Sequence, residues 1–137
     1  MQKGQAMKDF ELTKKMLNMG GVFYPTGYAV IMFPDAADVR KVASELEAGN
    51  DGVMLLSPET ILKEISPADG HSDVHLPSVG TEGATVHKFG DLAREGHYGL
   101  MIPVHSGEDT ERVMAVVRTV PFSYAQRYHS LAMEDLE

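Results

Sequence analysis

The chain carries one pattern twice: an unbroken apolar run, a polar cap and an amphipathic helical stretch. The first copy is the run from Tyr28 to Phe33, then Pro34-Asp35, a helical stretch to Ala48 and a second apolar run from Gly52 to Leu56. The second is Tyr98 to Val104, then Ser106 to Asp109, a helix to about Val120 and a final strand-like segment. In the first helix Val39, Val42, Ala43 and Leu46 repeat at i, i+3, i+4 and i+7, the spacing of one buried face. In the last long helix Val113, Val116, Val117 and Val120 do the same. Two such units predict an α+β fold, a ferredoxin-like βαβ-βαβ sandwich with a four-stranded, mainly antiparallel sheet and an extra central helix.

Turn and cap chemistry places the boundaries. Asp35 is positioned to cap the first helix, and Gly49-Asn50-Asp51-Gly52 stops it. Ser57-Pro58-Glu59 opens a short helix reaching Ile65, with Ser at the cap and Pro in the first turn. Residues 66–80 read as a surface loop. Thr81 caps the extra helix, in which Val86, Phe89, Leu92 and Ala93 share a face and which Gly96 closes. Ser106 with Asp109 resembles a capping box, and Pro121 ends the last helix. Segment 122–131 reads as the fourth strand, with Phe122, Tyr124 and Tyr128 on one parity and Gln126 interrupting it. Residues 1–25 read as an N-terminal arm or short helix bearing Met7, Phe10, Met16, Leu17 and Met19, ahead of a single domain over 26–137.

The strands are apolar on both parities, so both faces of the sheet should be buried. The second face is covered either by the helix around 82–95 or by the sheet of a second subunit, and the size of the apolar surface favours a homodimer. Pro103 donates nothing to a ladder, so it must fall at a bulge or where pairing ends.

Composition excludes several classes. A chain of 137 residues suits one domain and buries roughly two thirds of its unfolded surface. With 20 acidic and 12 basic residues the formal charge is -8, which repels phosphate backbones and argues against a nucleic-acid partner. No cysteine is present, which removes disulfides, thiolate catalysis and thiolate metal sites. No run approaches a membrane span and the first residues lack a signal-peptide layout, so a cytoplasmic protein without membrane partner is expected.

Four groups carry candidate chemistry. His71-Ser-Asp-Val-His75 has helical metal-ligand spacing, with Asp73 as a further oxygen donor, but Gly70 and Pro77 argue for a solvated loop instead. Ser78 to Thr85 is a small, glycine-bearing turn opening a helix, where free N–H groups attract anions. Gly80, Thr81, Gly83, Thr85 and Lys88 are the ligand-binding candidates there, with His87 beside them; the bland alternative is a tightly packed cap. His97, His105 and His129 sit at or beside strands, where an imidazole can act as acid or base, yet no nucleophile with its base is visible. The five tyrosines and nine methionines suit packing better than ligand or metal contact. No cofactor and no catalytic residue is assigned.

The segments Thr26 to Asp35, Gly52 to Glu59, Leu92 to His97 and Ala125 to Leu136 together resemble small bacterial general-stress-protein-like α/β domains. The resemblance implies a cytoplasmic bacterial protein with a ferredoxin-like core and a link to stress, and it transfers no site residue. The expectation is a non-enzymatic homodimeric domain that binds a partner or small ligand. The alternative is an anion- or nucleotide-responsive regulator, or a small dimeric α+β-barrel enzyme, using the helix start at Gly80 to Lys88.

Overall fold

The computed structural model describes residues 8–10, 12–13, 16–17, 21–66, 80–129 and 132–137. Among the described residues it is an α+β domain with six strands: β1 Lys8–Asp9, β2 Tyr28–Phe33, β3 Met54–Leu56, β4 Tyr98–Pro103, β5 Tyr124–Tyr128 and β6 Met133–Asp135. Four α-helices accompany them among the described residues: α1 Ala36–Glu47, α2 Pro58–Thr60, α3 Gly80–Arg94 and α4 Gly107–Val117. The sheet order is β1-β3-β4-β2-β5-β6. The last five form an open antiparallel sheet, and the two-residue β1 joins its edge parallel to β3. In the middle, β2-α1-β3 and β4-α4-β5 interleave, each unit's two strands separated by one strand of the other. Four strands are thus too few: β1 and β6 extend both edges.

Local chemistry explains where the elements start and stop. The Asp35 carboxylate accepts the N–H groups of Ala37 and Asp38 at 2.8 and 3.2 Å, capping α1. Val39, Val42, Ala43 and Leu46 are its buried residues, as their spacing predicts. Ser57 caps α2, which passes at Ile61 into a π-helical turn reaching Ile65. The expected extent holds, but the wider turn turns Ile61 and Ile65 into the core. At the end of α3, Gly96 takes φ +93°; its N–H bonds to Ala93 O and the His97 N–H to Leu92 O, a Schellman closure.

Three expectations are corrected. Helix α3 is under way at Gly80, so Thr81 lies inside its first turn and is not the cap. Helix α4 ends at Val117, not Val120, and its buried residues are Thr110, Val113, Met114 and Val117. Val116 and Val120 are half-buried, because the packed stripe drifts toward Met114. The Ser106 cap does accept the Asp109 N–H at 3.0 Å, but Asp109 returns its carboxylate to His105 N–H rather than to Ser106, one residue off a capping box. Pro103 closes β4 opposite Tyr28, where pairing ends as expected.

The sheet has a core on each side. On one, Ala29, Ile31, Phe33, Leu100, Ile102 and Ala125 meet α1 and α4. On the other, Val30, Met32, Met54, Leu56, Met101 and Tyr128 meet α3, the π turn and the described N-terminal residues Phe10, Met16, Val22, Phe23 and Tyr24. Phe23 stands edge-on to Phe10, Phe89 and Tyr128 at 6.1 to 6.3 Å between centroids. The second face is therefore covered by this chain itself, by α3 together with N-terminal residues, and a second copy is not needed to bury it. Gly99 makes the fit possible: a Cβ there would meet Met32 Sδ at 3.2 Å and Leu56 Cβ at 3.3 Å.

Candidate functional site

A helix leaves only the N–H groups of its first turn unbonded. With α3 beginning at Gly80, Gly83 and Thr85 already belong to the helical ladder and offer no free backbone donor to an anion. Their usefulness then depends on side chains. Thr85 and Lys88, three residues apart, share one side of α3, with Thr85 buried and Lys88 at the rim. They line a cleft of about 540 Å³ with Ala84, facing Tyr124 and Gln126 of β5 and Met133 and Asp135 of β6. Two of the five ligand-binding residues expected from sequence thus come together. Gly83 is not among the described walls, and of Gly80 and Thr81 only the helical backbone is described.

Strand parity puts Gln126 in the cleft. It sits between Tyr124 and Tyr128 on the face toward α3 and is only 2% exposed, a polar side chain in a row otherwise aromatic. The β5–β6 register sets it opposite Asp135, whose carboxylate accepts its amide N–H. Among the described residues no donor meets the Gln126 Oε1, which keeps one acceptor open at the cleft. Lys88 Nζ lies 6.0 Å from the centre of the Tyr124 ring, a cation–π distance, and no described carboxylate lies within 4 Å of it. The cleft therefore combines an aromatic wall, a cation, a carboxylate and a buried amide.

The histidines do not form a site together. His97 precedes β4 and His105 follows it, so they lie at opposite ends of that strand, while His129 leaves β5 at the His105 end. His97, 14% exposed, has Nδ1 at 2.8 Å from Ser123 Oγ and Nε2 at 3.8 Å from Glu95. A serine, a histidine and an acid in line suggest a nucleophile, but the Ser123 hydroxyl donates to Met32 O at 3.1 Å. Its proton is spent on a carbonyl, so His97 is the donor to Ser123 and the arrangement ties the start of β4 to β5. His129 Nε2 contacts Glu134 at 2.9 Å, and His105 is exposed. His71, Asp73 and His75 lie outside the described residues; among the described ones no three His, Asp or Glu side chains gather as metal ligands.

A second groove of about 310 Å³ between α4 and the chain end holds Arg118 and Arg127. Its charges are matched internally: Arg118 binds Glu111 and the Glu137 carbonyl, both at 2.7 Å, and Arg127 faces Glu134 at 3.9 Å. The Glu111 carboxyl is held below its ordinary range by the hydrogen bond from Arg118 and the same guanidinium's charge. Asp109 is likewise lowered, first by the Arg112 hydrogen bond and then by the His105 N–H.

Sequence reasoning missed Gln126, Met133 and Asp135 as cleft residues and assigned Tyr124, with the other tyrosines, to packing. The signal present was Gln126 itself, which reads as a flaw in strand alternation and is the buried amide of the cleft.

These features define an α+β domain with an open antiparallel sheet and a polar cleft on one face. The chain matches no protein-family model, no curated protein and no solved structure. No described helix is long and apolar enough to cross a membrane.

Proposed function

We propose that the chain is a non-enzymatic ligand-binding domain whose site is the cleft between α3 and β5–β6, built on a ferredoxin-like arrangement of the four middle strands. The observation that carries this reading is Gln126, a buried amide with its acceptor open to the cleft beside Lys88. A buried polar side chain costs stability unless partnered, and an apolar residue would fill a structural strand position better. Its retention in a row of tyrosines fits recognition of something polar. The volume lies within the range of small-molecule sites. The helix-start anion site is reduced in this reading to the side chains of Thr85 and Lys88. A second copy is not required, since the faces that motivated a homodimer are closed by the chain.

A thermal-shift screen of small metabolites on the wild type, Gln126→Leu and Lys88→Met proteins tests the proposal. A ligand a hundredfold above its Kd stabilises by about 2.7 kcal/mol, and that gain should fall by about half or more in both variants. Ligands that stabilise all three proteins equally would place the site elsewhere.

A further inference from the structure

The cleft holds a cation and a carboxylate that do not pair with each other. Lys88 leans over Tyr124, and Asp135 accepts from Gln126. The two charges cancel, so the walls carry no net preference for an anion or a cation, but each end has a sign of its own. A simple anion would meet Lys88 yet also face the Asp135 carboxylate and the Gln126 acceptor. A simple amine would face Lys88. An apolar ligand would seal the Gln126 Oε1 away from water without a donor, which is costly. A molecule with a carboxylate at one end and an ammonium at the other satisfies all three groups.

From this the geometry points to an amino-acid zwitterion as the ligand of the cleft, an inference that rests on the cleft being the ligand site. Its carboxylate pairs with Lys88. Its ammonium donates to the Gln126 Oε1 and the Asp135 carboxylate, while Tyr124 and Met133 provide an apolar wall for the rest of the molecule. Gln126 biases the polarity: one of its amide N–H groups is held by Asp135 and its Oε1 is an open acceptor, so a donor end of the ligand gains a hydrogen bond on the Oε1 side.

Isothermal titration of the full chain with glycine, L-glutamine, L-phenylalanine and 4-aminobutyrate, each also in N-acetylated and carboxyl-amidated form, tests this. The expected result is saturable binding of at least one free zwitterion, with either blocked form weaker by about 10- to 100-fold, the loss of one charge-assisted hydrogen bond. Lys88→Met should abolish the preference for the free carboxylate, and Asp135→Asn the preference for the free ammonium. Both residues are exposed, and unchanged melting temperatures would confirm that the variants are folded. A blocked form, acetate or methylammonium binding as tightly as the parent zwitterion would overturn the zwitterion inference and leave the cleft as a site. The absence of binding by any amino acid, with amide signals of Lys88, Tyr124 and Gln126 also unmoved by a general fragment set, would remove both.

Discussion

The two faces of the sheet are both buried, but they are built from different materials. The face under α1 and α4 is mostly aliphatic, with Ile31, Val39, Val42, Leu100, Ile102, Val113 and Val117 fully enclosed. The face under α3 is aromatic and sulfur-rich, with Phe10, Phe23, Tyr24, Phe89 and Tyr128 among Met16, Met32, Met54 and Met101, and its margin opens into the cleft. Regular helices meeting a regular strand surface close an aliphatic core without gaps. The other cover is assembled from a helix, a π turn and short N-terminal segments, and bulky or adaptable side chains fill the irregular space between them. The less regular face is the one whose margin carries the buried amide of Gln126 beside the cleft of about 540 Å³.

The largest break in this comparison comes from Phe23→Ala. Phe23 joins three other rings, so its loss should cost about 3–5 kcal/mol in denaturant unfolding. A cost below about 1 kcal/mol would show that the N-terminal residues contribute little to the core. On the aliphatic face, Ile31→Val deletes one buried methylene and should cost about 0.5–1.5 kcal/mol without touching ligand binding. Ser106→Ala removes the side-chain cap of α4 and should cost about 1 kcal/mol.

Gln126→Leu sharpens the contrast, because it should change stability by less than about 1 kcal/mol in either direction while weakening binding by about 10-fold or more. A large stability loss would instead make Gln126 a structural residue and its bond to Asp135 a strut. The smallest effect concerns acid. Asp109 and Glu111 have folded pKa values held below their ordinary 3.8 and 4.5. Each therefore adds stability that is present above those values and lost as pH falls through the lower folded ones. Asp109→Asn should lower the melting temperature slightly near neutrality, where the ionised carboxylate contributes, and flatten the acid limb of the profile below about pH 4.

Much of the fold was legible because it rests on periodicity and caps. Val39, Val42, Ala43 and Leu46 announced α1, and Asp35 its start; Val86, Phe89, Leu92 and Ala93 announced α3. Apolar residues on both strand parities correctly required two covers, but periodicity does not say which segment supplies a cover. Phe10 stands far along the chain from the adjacent Phe23 and Tyr24, and the three are too sparse to form a pattern, so their place under the sheet was not readable. Strand β6 is three residues long, and Met133-Glu134-Asp135 has no alternation to mark it.

The proposed site was legible in half. Thr85 and Lys88 drew notice as part of a helix start, where the chemistry expected was backbone N–H groups. In the structure it is their side chains that line the cleft, against strands β5 and β6 that lie about 40 residues on. Gln126 looked like a weak point in a strand because a single sequence shows a polar residue among tyrosines without showing what it faces. The histidines were conspicuous by number, but strand ends disperse them, and His97 is engaged with Ser123.

The most direct test of the cleft as the ligand site is a ¹H–¹⁵N NMR titration of the labelled chain with a stabilising metabolite from the screen. Chemical-shift changes should cluster on Ala84, Thr85, Lys88, Tyr124, Gln126, Met133 and Asp135 and leave Val39, Val42, Val113 and Val117 unmoved. Changes centred on α1 and α4, or on the groove between Arg118 and Arg127, with the cleft signals unaltered, would contradict it.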